Sequence, residues 1–86
     1  MAKYTIYFKA SAEKDLDKLD KVIGDKIEAK IDSLESNAYP LGSKKLKGES
    51  SCRIRIGDYR IIYEVDDTNK TIIIFKIGHR REVYRK

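Results

Sequence analysis

The feature that most restricts the fold of this chain is a strict alternation of residues that runs into a turn. Cys52, Ile54 and Ile56 alternate with Arg53 and Arg55, and Gly57-Asp58 follows at once. Apolar side chains at every second position mark a strand with one buried face. Glycine at the first turn position suits a two-residue type II′ hairpin, so a return strand is predicted over residues 59–65. The register then follows: Ile56 faces Tyr59, Arg55 faces Arg60, Ile54 faces Ile61 and Arg53 faces Ile62. Opposed residues share a face of the sheet. Arg53, Arg55 and Arg60 are therefore expected to project together, away from Ile54, Ile56 and Ile61. Like charges set opposite one another cost roughly 0.2–1 kcal/mol, so a fold that keeps the pair is expected to have a use for it. One use is a phosphate or RNA-backbone site, because planar guanidinium forks match phosphate oxygens. The alternative is a loosely solvated basic face.

The rest of the chain supplies what such a hairpin packs against. Tyr4 to Phe8 is β-branched and aromatic, and reads as a strand. Ser11 offers an N-cap for a helix with Ala12, Leu16 and Leu19 on one stripe. Asp20 can cap a second helix with Ile23, Ile27, Ile31 and Leu34 at helical spacing. Gly24 interrupts that pattern at a cost of ~1 kcal/mol against alanine. Asn37 to Pro40 is expected to end the helical pair. Beyond the polar turn at residues 66–70, Thr71 to Ile77 reads as a strand. Its Ile72-Ile73-Ile74-Phe75 core is apolar on both faces, as in a central, covered strand. The expected fold is α+β: an N-terminal strand, a helical hairpin and a three-stranded antiparallel meander in one sheet, with the helices on one face. At 86 residues this is a single domain over the whole chain, 1–86.

Hydrophobic residues make up 41% of the chain, enough for a real core and too many for a disordered tail. The net charge of +5 is unevenly placed: −1 over residues 1–37, +4 over 38–63, −2 over 64–75 and +4 over 76–86. Clustered positive charge steers polyanions and gives sequence-independent phosphate affinity, although it also serves as ordinary solubilising charge. Cys52 is the only cysteine, which excludes the disulfide set of a small secreted domain and favours a reducing cytosol. Tyr4 to Phe8, flanked by Lys3 and Lys9, is strand length rather than a signal peptide. No run approaches the ~18 apolar residues that span a bilayer. A soluble, cytoplasmic protein with no membrane partner is expected.

Two further segments carry basic residues. Ser43 to Gly48 is a loop with Lys44, Lys45 and Lys47 around one apolar anchor, Leu46. His79 to Arg85 is denser, with Arg80, Arg81 and Arg85, the sole histidine and Tyr84. Aromatics beside arginine are what unpaired RNA bases stack on, although Tyr84 is equally suited to the rim of a core. One His and one Cys do not make a zinc site of the usual type. The scattered acids do not suggest a two-metal nuclease, and there is no glycine-rich phosphate loop. No metal or other cofactor is expected.

In order and spacing the chain resembles the RelE/ParE toxin superfamily over nearly its whole length. The matching segments are Lys45-Leu46-Lys47-Gly48, the run from Cys52 to Val65 around Gly57-Asp58-Tyr59-Arg60, and Gly78-His79-Arg80-Arg81-Glu82-Val83-Tyr84. The basic stretch ending in Val-Tyr is nearer the RNA-cleaving RelE branch than the gyrase-poisoning ParE branch. The resemblance implies a toxin of a type II toxin–antitoxin system that enters the ribosomal A site. There it would act as an endoribonuclease (mRNA interferase), cutting mRNA by attack of a ribose 2′-OH on the adjacent phosphate, without metal. It implies that Arg53 and Arg55 stand where family members often carry lysine, that Arg60 binds phosphate and that Arg80 or Arg81 is the second such arginine. Tyr84 would be the stacking tyrosine, sometimes assigned as general base. A cognate antitoxin would mask this site. Arginine does not readily lose a proton, so a proton-transfer role at positions 53 and 55 is not expected here. Imidazole ordinarily titrates near neutrality, which makes His79 a second candidate for proton transfer. A phenol at ~10 is a poor base unless neighbouring cations favour tyrosinate. Positioning of the 2′-OH and stabilisation of phosphorane charge by arginine are therefore expected to carry most of the rate. On the same fold, the competing functions are a gyrase inhibitor and a non-catalytic member that binds RNA or antitoxin.

Overall fold

The computed structural model describes residues 3–40, 44–45 and 51–79, with Lys44 and Lys45 as backbone. Strand β1 (Thr5–Phe8) leads into helices α1 (Ala10–Asp17) and α2 (Lys21–Ser33). Strands β2 (Lys44–Lys45), β3 (Ser51–Ile56), β4 (Tyr59–Asp66) and β5 (Thr71–His79) follow. All five strands join one sheet in the order β1-β5-β4-β3-β2. β1 runs parallel to β5, and the other neighbours are antiparallel. This is the expected α+β arrangement, with one addition: the basic loop contributes β2, whose Lys44 and Lys45 stand opposite Arg53 and Cys52.

The β3–β4 hairpin has the register read from the sequence, Ile56 opposite Tyr59 through Arg53 opposite Ile62. Gly57 turns at φ 57, and Lys70 is the only non-glycine with positive φ among the described residues. Asp58 therefore keeps negative φ, the pattern in which only the first turn residue needs glycine. Cys52, Ile54, Ile61, Tyr63, Val65, Ile72, Ile74 and Ile77 are buried together with Ala12, Ile27, Ile31 and Leu34 of the helical segment. The core thus lies between the helices and one face of the sheet. Tyr63 is buried within it, and its hydroxyl donates to the Ala38 carbonyl at 2.8 Å, satisfying the polar end of the ring. β5 is interior, between β1 and β4. Its second face is only partly covered, since Ile73 and Phe75 are half-buried.

The helical segment departs from expectation at its ends. Ser11 does not cap α1: the N-cap is Lys9, without a side-chain cap bond. The Lys9 amide is held by the Ile74 carbonyl of β5 at 2.9 Å, so the chain turns into helix as soon as it leaves β1. Ser11 lies two residues too late to cap, and its hydroxyl donates to the Phe75 carbonyl at 3.3 Å. Asp20 does cap α2, with Oδ1 accepting from the Ile23 amide at 3.1 Å. α2 ends at Ser33, before the predicted stop at Asn37 to Pro40.

β5 carries a bulge. Ile62 pairs with Lys76 and Tyr63 with Ile74, which leaves Phe75 as the extra residue. Past Ile74 the strand has no neighbour on the β1 side, and α1 closes that edge. Asp15 Oδ2 accepts from the Ile77 amide at 3.1 Å, while Ser11 serves the Phe75 carbonyl. Unpaired edge groups invite pairing with another chain, and here two helix side chains occupy them.

Candidate functional site

The face of the sheet opposite the helices carries the arginines. Arg55 and Arg60 are direct partners, and Arg60 is flanked on its other side by Gly78, which presents no side chain. Arg53 is two pairs further along, the next position on this face, beside Ile62 on one flank and Lys44 in register on the other. Arg53 and Arg60 are half-buried, whereas Arg55 is exposed. The Arg55 Nε donates to the Gly57 carbonyl at 3.3 Å, so its guanidinium leans towards the turn rather than across to Arg60. That contact eases a repulsion that register alone would impose.

His79 is placed elsewhere. It pairs with Tyr59, and the two rings meet edge to face with centroids 5.6 Å apart. Tyr59 packs against the core on the helix side. A cavity of about 440 Å³ there is bordered by Asp15, Lys18 and Leu19 together with Tyr59, Lys76 and His79. His79 and the three strand arginines thus lie on opposite faces, and the structure does not bring them together. Period-two alternation from Gly78, opposite Arg60, would have signalled this separation. Lys44 and Lys45 are located in the sheet by backbone pairing alone. Lys47, Arg80, Arg81 and Tyr84 lie outside the described residues.

At the far end of the sheet a second polar cluster joins three segments. Tyr4 and Tyr39 both donate to the Asp67 carboxylate, the latter at 3.0 Å, and Lys70 Nζ stands 5.0 Å from the centre of the Tyr4 ring. The two hydroxyls, Tyr4 before Tyr39, hold the Asp67 carboxyl below the usual carboxylate range. Burial, then the bond to Asp67, pushes the Tyr39 phenol up to about 12. The cluster ties the start of β1 and the end of the helical segment to the β4–β5 turn, away from the arginines. Tyr4 and Tyr39 were not singled out from sequence, because partners 63 and 28 residues apart leave no local pattern. Among the described residues no group of three or more His, Cys, Asp or Glu is placed to hold a metal ion. No described helix is long and apolar enough to cross a membrane.

Comparison with known proteins agrees with this architecture. Residues 6–84 match the family described as ParE toxin of type II toxin-antitoxin system. Toxin RelG of Mycobacterium tuberculosis is 31% identical, over 96% of this chain and 98% of its own length. Toxin RelE of the same organism is 33% identical, over 95% of this chain and 87% of its own length. The RelE–RelB complex of Pyrococcus horikoshii contains a chain that superposes with a TM-score of 0.82 at 31% identity, covering 91% of this chain and 96% of that one. With the family matched over nearly all of its length, and with RelE-type relatives on both sequence and structure, this chain belongs to the RelE/ParE family of type II toxin–antitoxin toxins, on its RelE-type branch.

Proposed function

We propose that this toxin is a cytoplasmic, ribosome-dependent endoribonuclease that cuts mRNA in the A site by metal-independent 2′-OH attack. The observation that carries the reading is the Arg55–Arg60 pair with Arg53 beside it, on the sheet face that the helices leave uncovered. In such a reaction the ribose 2′-oxygen bonds to the adjacent phosphorus while the bond to the departing 5′-oxygen breaks. One proton leaves the 2′-OH and another reaches the 5′-oxygen. Fixed guanidinium charge at the phosphate favours the crowded, more highly charged transition state over the ground state. Arg53, Arg55 and Arg60 would provide it, with Arg80 or Arg81 added from the C-terminal segment. Lys44, Lys45 and Lys47 would hold flanking backbone of the message or ribosome. Tyr84 would stack on a base and is the candidate for proton transfer. His79 faces away from the arginines, which leaves it no direct role at that phosphate.

The partner that masks this face would be an antitoxin of the RelB type, acidic or amphipathic where it meets the arginines. Similar folds have been solved as toxin–antitoxin complexes, including RelBE2 of Mycobacterium tuberculosis. The matched family description names ParE, which keeps gyrase inhibition as a second reading. Pulse labelling after induction without antitoxin separates the two. Amino-acid incorporation is expected to stop before DNA synthesis does, and normal incorporation during growth arrest would remove the ribosome reading.

A further inference from the structure

Helix α2 carries three acids and three lysines, yet it distributes them unevenly. Lys21 is paired with Asp25, Nζ to Oδ2 at 3.0 Å. Lys26 and Lys30 are treated differently. The positions three and four residues from Lys26 are Val22, Ile23, Ala29 and Lys30, and those around Lys30 are Lys26, Ile27, Ser33 and Leu34. Neither lysine has a carboxylate within helical reach, and the two repel each other at i,i+4 spacing. They border a groove of about 410 Å³ whose other lining residues are Ala29, Ser33, Arg55 and Ile56. Among the described residues, three cations and no carboxylate therefore line it. On the flank of β3 away from β4, the described part of β2 pairs with Cys52 and Arg53. Arg55 belongs to both the groove and the arginine face: it stands opposite Arg60 in the hairpin and is among the residues that line the groove.

We propose that the groove between α2 and the end of β3, lined by Lys26, Lys30 and Arg55, binds the phosphodiester backbone of the RNA strand where it leaves the arginine face. The proposal rests on the RNA-cleaving reading above and extends the substrate's path beyond the arginine pair to α2. Like-charged side chains gathered without acids form a site for a polyanion. Continuity through Arg55 makes the same strand the occupant. A protein segment would need carboxylates to match these lysines and belongs to the outcomes of the test.

The experiment uses the full chain and 2′-O-methyl RNA, which lacks the attacking hydroxyl. Single-stranded probes of about 4 and about 16 nucleotides span the usual range of single-strand site sizes. In the Lys26→Gln/Lys30→Gln protein, the short probe is expected to bind as it does to the parent, within about twofold. The long probe should lose roughly tenfold, and its salt slope should fall by about 1.4, two phosphates at ~0.7 each. Lys26→Arg/Lys30→Arg should restore both, and thermal melts of all variants should match the parent. Equal losses on both probes, or none on either, would overturn the groove. Unchanged RNA binding with weakened antitoxin binding would overturn it too, by making the groove a protein contact. The arginine reading has its own arm: Arg53→Gln/Arg60→Gln should weaken the short probe. If the parent binds neither probe, the groove proposal fails, while the ribosome-dependent reading is tested on its own by cleavage with ribosomes present.

Discussion

Two arginines held opposite one another in a hairpin repel by roughly 0.2–1 kcal/mol, and threonine is a better strand former than arginine. Arg55→Thr is therefore expected to melt at the parent temperature or above it. Its RNA cleavage should nevertheless fall by about two orders of magnitude, the usual effect of losing one fixed charge at the transition state. The Arg55–Gly57 contact at 3.3 Å makes the gain in stability smaller than register alone implies. Thermal melts and cleavage assays on one preparation test this, and a destabilised but active variant would make Arg55 a structural residue. Asp67 acts at the same scale but through titration. Its carboxyl is held low by Tyr4 and Tyr39, so its contribution to stability is present above the ordinary carboxylate range. That contribution is lost as pH falls through the lowered value. Tyr39, pushed up to about 12, behaves in the opposite sense. Its contribution is complete below the ordinary phenol value of ~10 and is lost as pH rises through the shifted one. Alkaline titration of tyrosinate absorbance should show one phenol ionising near 12 in the parent. In Asp67→Ala it should move part of the way back, because burial is the larger cause. All phenols titrating together in the parent would contradict the clamp.

The elements differ in how legible they are from sequence, for reasons of local chemistry. The β3–β4 hairpin could be read to the residue because its face alternation and its turn glycine agree, and either signal alone fixes the register. Asp20 was readable as a cap because its bond to the Ile23 amide closes within three residues. Ser11 was misread because the start of α1 is set by the Lys9–Ile74 bond to a strand far along the chain. The bulge at Phe75 was invisible for a different reason. In a run of Ile72, Ile73, Ile74 and Phe75 every residue suits either face, so the pattern does not record a change of phase. The three strand arginines could be grouped from the hairpin alone, whereas the opposite placement of His79 required the length of β5 and its pairing with β4. On α2, Gly24 has nothing within 4 Å of an added Cβ. Gly24→Ala should raise stability by up to ~1 kcal/mol, through helix propensity and a less disordered unfolded chain. Denaturant unfolding checks this, and a loss would mean that the helix start is held by something other than propensity.

At the scale of the molecule, the sheet separates two tasks. One face, with the helices, holds the core and the aromatic pair of Tyr59 and His79. The other has few apolar residues to bury, and at the β3–β4 turn it exposes arginines whose mutual repulsion the fold tolerates. The Tyr4–Tyr39–Asp67 cluster fastens the opposite end. This division suits the proposed action on a polyanion, because the core can keep its shape while the face opposite the helices is given to charge. The measurement that tests the central claim most directly is primer extension on a defined message, with purified toxin and ribosomes holding a chosen codon in the A site. Cuts within that codon are expected, in chelator as in magnesium-matched buffer lacking free transition metals, with loss of cutting in Arg55→Thr and Arg60→Thr. An intact message under these conditions, with the parent protein folded, would contradict it.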